Sequence, residues 1–248
     1  MEVAPVITSE ANLTCLKFAP LINQNIIHFF LAKPNQSGFK TGKTHPEVID
    51  TALQTLKLPI RPVISLQQVH GNRTLILDRK SSPSSLNLPA TADALFTNRN
   101  DLYLTVRVAD CLPIYVYDRD NRIVGLIHAG WRGTLLEIAR RALSAAQEKL
   151  GLNPASCSVL LGPCIKSCCY QVSAEVALLF SFNSIYNRSL KHYLDLCNVN
   201  QDQLSEMGVE EQNIFRVPYC TCCNANLYYS YRRSKNKAER MYAVLGLR

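Results

Sequence analysis

The sequence lacks the long apolar runs, repeats and low-complexity tracts that mark membrane, repetitive and disordered proteins. No window of the 248 residues approaches the run of about eighteen apolar residues that a transmembrane helix needs. The first ten residues include Glu2 and Glu10 and no basic or sustained apolar stretch, so we expect no secretory signal. Hydrophobic residues make up 47% and charged residues 19% of the chain, which is typical of a large buried core. We therefore expect a cytoplasmic protein without membrane contact, folded as a single large domain over 1–248.

The chain has little excess of positive over negative charge before its C-terminal residues. The net charge is +8, and from Arg232 onward six basic residues face one acidic residue. Aromatic and basic side chains alternate over 227–233, an arrangement also found in single-stranded nucleic-acid sites. No ribonucleoprotein signature accompanies them, so we interpret the segment as a strand with a basic tail. An RNA-binding module using 228–240 is the disfavoured alternative, and it would bind with a steep dependence on salt.

The order of apolar and polar residues predicts a mixture of strands and helices. A hairpin centred between Arg119 and Asp120 would place Cys111 opposite His128, with side chains about 4.5–5.5 Å apart. Pro113 argues for an edge strand or for the first residues of a strand, because it cannot donate to a ladder. The strands are predicted at 26–32, 62–69, 102–108, 112–118 and 122–127.

Cap residues define the predicted helices. Thr134 and Glu137 form a capping-box pattern, so a helix is predicted from Thr134 to a stop at Gly151. Further helices are predicted at 44–58, from Ser173, and from Asp195 to Gly208.

Cysteine is abundant, with ten residues, and the absence of an export signal favours thiols or metal ligands over disulfides. Six of the ten lie in two groups, at 164–169 and 220–223. The spacings of these groups, C-x3-C-C and C-x-C-C, differ from the paired C-x2-C of a zinc ribbon. We interpret them as small buried hydrophobic residues, with a structural metal site as the alternative.

Histidine is scarce, and two of the five histidines end apolar strands before glycine-bearing turns. These are His70 in QQVHG and His128 in LIHAG, and Cys111 in ADCLP would complete a site of two histidines and one cysteine. Three protein ligands with a fourth position open is the arrangement of catalytic zinc, which acidifies water or polarises a substrate. The alternative is that both histidines bond to backbone at the strand ends and Cys111 is a core residue.

Two glycine-bearing segments are candidate anion sites. Arg132 lies in GWRG at 130–133 where a helix begins, and free N–H groups there would favour an anion. A tight turn with a solvated arginine is the alternative. The segment 38–44, GFKTGKT, has three residues between its glycines where a phosphate-binding loop needs four, so nucleotide binding there is disfavoured.

Three of these motifs together resemble a known family. The segments QVHG at 68–71, ADCLP at 109–113 and HAGWRG at 128–133 are similar to those of the laccase-domain family. That family was first described as multicopper polyphenol oxidases and is now regarded as purine nucleoside phosphorylases. The resemblance covers 62–248, and further similar segments follow in order at 92–94, 161–163, 169–172, 193–196, 220–221 and 229–233.

The resemblance implies a fold, a cofactor and an activity. The fold is α+β, with layered mixed sheets flanked by helices. His70, Cys111 and His128 take the metal-binding and catalytic positions, and the implied metal is zinc rather than copper. The substrates are adenosine, inosine or methylthioadenosine together with phosphate, and adenosine deamination accompanies phosphorolysis. The His-x-Glu of zinc deaminases is absent, because alanine and glycine follow His128, so a proton shuttle must come from elsewhere.

Three further residues receive expected roles near the substrate. Asp110, the acid nearest to Cys111 in sequence, is expected to help stabilise the departing purine. Arg132, with helix N–H groups, is expected to bind phosphate, and Gln68 to contact the substrate.

The N-terminal part, 1–61, departs from the family pattern. Family members usually carry a His-Gly-Phe segment near two glycines, followed by Ser-Leu-Asn-Leu-Gly. Here IHFFLAK at 27–33 replaces the first, and the second is shortened to a segment near 37–40. The preferred nucleoside therefore stays open, and if this segment borders the pocket, Lys33, Lys40 and Lys43 would favour anionic substrates.

Two enzymatic rivals also stay open. A copper-dependent polyphenol oxidase carries the older family label, but five histidines are too few for a multicopper centre. A metal-free hydrolase is the other, because a Cys111 thiolate beside the His128 imidazole is a nucleophile.

Overall fold

A computed structural model describes residues 1–10, 13–22, 24–34, 45–80, 90–235 and 239–248. The described residues do not include the phosphate-loop-like segment 38–44 or the shortened family segment near 37–40. They also do not include the sequence SSPSS at 81–85 or the basic residue Lys237.

The described residues form seven helices, none of which is long and apolar enough to cross a bilayer. The helices are α1 (Ala19–Ile22), α2 (His45–Thr55), α3 (Trp131–Leu135), α4 (Ile138–Leu150), α5 (Ala174–Ala177), α6 (Leu196–Glu206) and α7 (Tyr231–Ser234). The strands are β1 (Pro5–Glu10), β2 (Leu13–Phe18), β3 (Ile26–Leu31), β4 (Val63–Ile64), β5 (Leu66–Gln67), β6 (Thr74–Leu77), β7 (Ala90–Thr91), β8 (Ala94–Thr97), β9 (Tyr103–Val108), β10 (Leu112–Asp118), β11 (Ile123–Ala129), β12 (Cys157–Leu161), β13 (Gln171–Val172), β14 (Ile185–Arg188), β15 (Lys191–Leu194), β16 (Ile214–Arg216) and β17 (Met241–Leu247).

Two six-stranded mixed sheets form the centre of the molecule. Their strand orders are β1-β2-β3-β17-β9-β4 and β16-β12-β10-β11-β8-β6. The β4–β9, β12–β16 and β6–β8 pairs are parallel, and the other pairs in these sheets are antiparallel. Strands β13, β15 and β14 form a third sheet, and β5 and β7 form a fourth.

The two large sheets pack face to face and carry helices on their outer faces. Side chains of β2, β3, β9 and β17 meet those of β10, β11 and β12 in one core cluster. Helix α2 covers the outer face of the first sheet, and α4 and α6 cover that of the second. Strands buried on both faces have nearly continuous apolar sequences, as β10 does. The predicted α+β fold of layered mixed sheets flanked by helices is confirmed.

The β10–β11 hairpin forms, but its predicted register was wrong. Pro113, not Cys111, opposes His128. The turn contains four residues rather than two, because the buried Asp118 carboxylate accepts hydrogen bonds from two backbone N–H groups of the turn, at 3.0 and 3.2 Å. A shift of two residues leaves each side chain on its original face. Cys111, one residue before β10, therefore still reaches His128.

The predicted capping box at the start of the long helix was also wrong. Helix α3 begins earlier, at Trp131, and Thr134 lies inside it. The buried Thr134 hydroxyl accepts a hydrogen bond from the Asn200 side chain at 3.0 Å instead of capping a helix. Helix α4 begins after Glu137, which adopts a left-handed conformation with φ of 59° and makes no side-chain cap.

Other predicted boundaries agree with the structure. Gly151 ends α4 in the left-handed conformation, with φ of 74°. Ser173 and Asp195 cap α5 and α6 by accepting backbone N–H groups. Helix α2 lies within the predicted 44–58, whereas the predicted strand at 62–69 is split into β4 and β5.

The predicted C-terminal strand with a basic tail was wrong, because the segment turns into helix α7. Ser230 caps this helix by accepting the N–H of Arg233 at 3.2 Å, and Tyr228 is fully buried. The Arg233 guanidinium donates to three backbone carbonyl oxygens, at 3.0, 2.8 and 2.6 Å. The Arg233 side chain therefore binds the protein's own backbone.

The two cysteine groups lie side by side, joined by a parallel bridge between Cys164 and Cys220. Cys164 and Cys220 are buried, as predicted, but Cys168 and Cys223 are exposed. The interpretation as small buried hydrophobic residues was therefore wrong for the exposed pair.

Candidate metal centre and active site

The three predicted metal ligands meet at one point between strand ends. His70 lies in the loop after β5, Cys111 just before β10, and His128 near the end of β11. Their ligand atoms all lie within 4.8 Å of one another. The two imidazole rings meet edge to face, with centroids 4.9 Å apart. One ion with bonds of about 2.0–2.3 Å can reach all three atoms.

The buried Asp93 carboxylate holds two of these ligands in place. It accepts the backbone N–H groups of Val69, His70 and Gly71 at 3.2, 2.9 and 2.7 Å, which fixes the His70 loop. The Nδ1 atom of His128 lies 2.8 Å from Oδ1 of Asp93. A carboxylate at one imidazole nitrogen orients the ring and leaves the other nitrogen for a metal.

Asp93 is the functional residue that sequence reasoning left without a role. It was noted only as part of the family segment at 92–94. Its one sequence indication is an acidic residue between two alanines directly before an apolar strand. Such a position is buried, and a buried carboxylate needs hydrogen-bond donors.

Glycine at position 130 lets the ligands approach each other. A Cβ atom there would lie 3.0 Å from Cδ2 of His70 and 3.1 Å from Sγ of Cys111. At Gly133 a Cβ would lie 2.8 Å from the carbonyl oxygen of Gly71. The two glycines of the HAGWRG motif therefore allow α3 to pack directly against both ligand loops.

The Asp110 carboxylate is directed at the 221–232 segment. It accepts hydrogen bonds from the hydroxyls of Thr221 and Ser230, at 2.6 and 3.0 Å, and from the N–H of Arg232 at 2.6 Å. Asp110 itself has a left-handed backbone, with φ of 87°. Non-glycine residues adopt this conformation at a cost of about 1–3 kcal/mol and cluster at functional sites. The bonds to 221–232 hold the turn that presents Cys111.

Cys111 and His128 shift each other's ionisation. Burial opposes the thiolate, but the His128 charge and hydrogen bonds from both histidines outweigh it and lower the pKa of Cys111 to about 6. Burial likewise opposes the imidazolium, but the Cys111 thiolate and Asp93 raise the pKa of His128 to about 9. Near neutral pH the metal-free pair is therefore a thiolate beside an imidazolium, and the thiolate is the form that binds metal.

This pairing predicts the reactivity of Cys111 in metal-stripped protein. Alkylation by iodoacetamide, followed residue by residue by mass spectrometry, should be slow below the Cys111 pKa of about 6 and reach a plateau above it. In His128→Gln the midpoint should move up by more than one pH unit, because the stabilising cation is lost. A wild-type midpoint near that of a free thiol, about 8.5, would contradict the ion pair.

Two cavities flank the three ligands and share His70, Ala109, Cys111 and Tyr231. One has a volume of about 550 Å³ and is also bordered by Gln68, Arg107 and Arg240. The other, of about 390 Å³, is also bordered by Trp131, Arg132, Tyr170, Arg232 and Lys235. The candidate metal centre thus faces space on two sides, and three cations border the smaller cavity.

The predicted substrate residues separate between these cavities. Arg132 lies at the smaller one, exposed, with its guanidinium 4.4 Å from the centre of the Trp131 ring. Within the described part of the chain the Arg132 guanidinium has no hydrogen-bond partner. Gln68 lies at the larger one, and its amide exchanges two hydrogen bonds with the backbone of Arg107, at 2.9 and 2.8 Å. The helix predicted to start at Thr134 instead begins at Trp131, as α3.

The described residues of the divergent N-terminal segment bind the protein's own backbone. His28 is buried in β3, and its Nε2 accepts the N–H of Phe18 at 3.0 Å. Burial, with the charge of Lys17, lowers the pKa of His28 to about 4. Lys33 donates to the carbonyl oxygen of Ala225 at 3.0 Å. Lys40 and Lys43 lie outside the described residues.

Comparison with known proteins agrees with the ligand geometry. The family model described as multi-copper polyphenol oxidoreductase laccase matches residues 43–248. This chain belongs to that family. The purine nucleoside phosphorylase YlmD of Bacillus subtilis is 32% identical over 192 residues, which are 73% of this chain and 69% of that protein. The purine nucleoside phosphorylase YlmD of Geobacillus stearothermophilus is 30% identical over 226 residues, or 85% and 82% of the two chains.

A solved structure extends the agreement to the whole fold. The crystal structure of YlmD from Geobacillus stearothermophilus superposes with a TM-score of 0.82 and 25% identity, covering 99% of this chain and 100% of that one. The resemblance inferred from the three motifs is confirmed, and the described residues among the N-terminal 61 share the fold in spite of their divergent sequence.

Proposed function

We propose that this chain is a zinc-dependent purine nucleoside phosphorylase that acts on adenosine, inosine or methylthioadenosine. The products would be the free base and the pentose 1-phosphate. The observation that carries the proposal is the convergence of His70, Cys111 and His128 between two cavities, the smaller bordered by three cations and the larger by two. The names of the relatives support the nucleoside and phosphate as substrates.

The donor set fits zinc. Two imidazole nitrogens and one thiolate are zinc ligands, and three protein ligands leave a fourth position for substrate or water. Asp93 supplies the carboxylate that orients a zinc-bound histidine. When bound, zinc would supply a Lewis acid that polarises a substrate atom. The matched family carries a copper-based description, but this single centre has few of the histidines that a multicopper site requires.

The cations would hold the phosphate. Arg132, Arg232 and Lys235 border the smaller cavity, and paired arginines bind phosphate through charge-assisted hydrogen bonds. The guanidinium of Arg232 already donates to the carbonyl oxygen of Gln171 at 2.8 Å, so Arg132 has the freer donors. Gln68 borders the larger cavity, where we place the nucleoside. A phosphate oxygen would bond to C1′ as the C1′–N bond breaks. The electron pair of the C1′–N bond would pass to the purine, which takes up a proton.

Asp110 is proposed to act by position. Its carboxylate already accepts three hydrogen bonds from the 221–232 segment, so it holds that segment beside Cys111. The expected contribution of Asp110 to purine departure is therefore indirect. Adenosine deamination is proposed as an accompanying activity that needs water but no phosphate.

The test is product identification by mass spectrometry with adenosine, with and without phosphate. We expect adenine and ribose 1-phosphate only when phosphate is present, and inosine with ammonia from any deamination. Cys111→Ala should stay folded and lose the zinc ion of this centre together with phosphorolysis, a fall in kcat/KM of at least about a thousandfold. The matched control is Cys15→Ala, which removes a buried thiol from β2 and should leave zinc content unchanged.

Other outcomes identify the rivals. Ribose in place of ribose 1-phosphate, without any need for metal, would indicate the Cys111/His128 hydrolase. Copper in the purified protein, with oxygen uptake on phenols, would indicate the oxidase. Full zinc content in Cys111→Ala would show that this centre is not the zinc site. We also propose a cytoplasmic location, where the ten cysteines would stay reduced.

A further inference from the structure

Four cysteine sulfurs form a second cluster, separate from the His70, Cys111 and His128 group. The Sγ atoms of Cys168, Cys169, Cys220 and Cys223 all lie within 4.8 Å of one another. Cys223 is 3.6 Å from Cys168 and 3.3 Å from Cys169. Around one tetrahedral ion with Zn–S bonds of about 2.3 Å, sulfurs lie about 3.8 Å apart. The thiols are therefore already spaced as ligands of one ion.

The sequence around Cys220 and Cys223 has the spacing of a metal-binding turn. Within C-x-C-C, the first and last residues, Cys220 and Cys223, have C-x2-C spacing, and the intervening Cys222 is not part of the cluster. The backbone N–H of Lys166 points to Sγ of Cys220 at 3.4 Å. Backbone N–H groups directed at a ligand sulfur stabilise its thiolate and fix its orientation.

A disulfide accounts for the cluster less well. Cys223 lies close to both Cys168 and Cys169, and Cys168 also contacts Cys220. Two of the sulfurs thus each have two sulfur neighbours, whereas a disulfide joins a sulfur to a single partner. An iron–sulfur cluster is disfavoured by size, because its irons and sulfides would push the four cysteine sulfurs further apart than 4.8 Å. A single tetrahedral ion uses all four sulfurs.

We infer that Cys168, Cys169, Cys220 and Cys223 bind a structural zinc ion. Four cysteines close the coordination sphere and leave no position for a substrate, which is the pattern of structural rather than catalytic zinc. This second site is independent of the proposed phosphorylase chemistry.

The ion would join a segment that borders the smaller cavity to a segment that binds Asp110. Tyr170, directly after Cys169, borders that cavity, and Arg232 lies over its ring at 5.4 Å. Thr221, directly after Cys220, donates to the Asp110 carboxylate at 2.6 Å. Zinc at the four cysteines would therefore fix the segment that holds the Cys111 turn.

Metal analysis of the purified chain tests the inference. Wild type should contain two zinc ions per chain, Cys111→Ala one, the pair Cys220→Ser with Cys223→Ser one, and the triple variant none. Cys222→Ser is the matched control, one residue from two ligands, and should keep two. After cobalt replaces zinc, the Cys111→Ala protein should keep strong sulfur-to-cobalt charge-transfer absorption from four thiolates, and the triple variant should lose it.

A second measurement needs no variant, so a folding defect cannot obscure the result. In wild type, the four cysteines should resist alkylation until a chelator removes zinc, whereas Cys222 should react at the same rate before and after. One zinc per chain that disappears entirely in Cys111→Ala would overturn the four-cysteine site and leave the proposed function standing. A disulfide among the four cysteines in anaerobically purified protein would also overturn the four-cysteine site. Zinc that survives Cys111→Ala but not the paired serine variant would support the site even if the phosphorylase proposal fails.

Discussion

Asp93→Asn is expected to weaken zinc binding about ten- to hundredfold, the usual cost of removing the partner of a ligating histidine. The substitution keeps the shape of the side chain but removes one of its two acceptor oxygens. Those oxygens now accept three N–H groups of the His70 loop and face Nδ1 of His128. The NH2 group of asparagine is itself a donor, so it cannot accept a hydrogen bond from the N–H groups of the His70 loop. Competition with a metal-sensitive dye measures the change in zinc affinity.

A matched control separates metal binding from stability. Asp118 is as fully buried as Asp93, and its carboxylate also accepts backbone N–H groups, including that of Asn153 at 2.7 Å. Both asparagine variants should lose about 1–3 kcal/mol of unfolding free energy, because each leaves buried donors unpaired. Only Asp93→Asn should lose zinc affinity. Equal zinc affinity in the two variants would refute a role for Asp93 in placing the ligands.

The ligands could be found from the sequence because each one ends or begins an apolar strand. His70 and His128 are followed by glycine-bearing turns, and Cys111 precedes β10. Strand ends meet at the edge of a sheet, so such residues come together even when the register is two residues off. The error at the hairpin did no harm because side chains alternate with a period of two. Its cause was the Asp118 carboxylate, which stabilises a longer turn.

Contacts between distant segments could not be found in this way. Asp93 lies 35 residues before its partner His128, and no local pattern indicates that the two meet. The four-cysteine cluster joins positions 54 and 55 residues apart, so its two halves look incomplete when each is examined alone. The helix at 231–234 was missed because Ser230 forms its cap with only four helical residues, too few for any periodicity to show.

Arg132→Ala is expected to raise the KM for phosphate about ten- to hundredfold while changing the KM for nucleoside far less. A hydrogen bond to a charged group contributes about 1.5–3 kcal/mol, and about 1.4 kcal/mol corresponds to a factor of ten. Arg132 borders the smaller cavity and stacks on Trp131, which holds its fork of donors toward that space. Initial rates at varied phosphate and fixed adenosine measure the effect.

Two further variants and the deaminase activity serve as controls for Arg132→Ala. Arg132→Lys keeps the charge but loses the planar fork, so its KM for phosphate should lie between those of wild type and Arg132→Ala. Arg141→Ala removes another exposed cation, which lies on α4 and donates to the carbonyl oxygen of Leu136, and should behave as wild type. Deamination needs no phosphate, so Arg132→Ala should retain it. If phosphorolysis and deamination fall together, Arg132 positions the nucleoside or supports the fold, and the phosphate must be held by other groups.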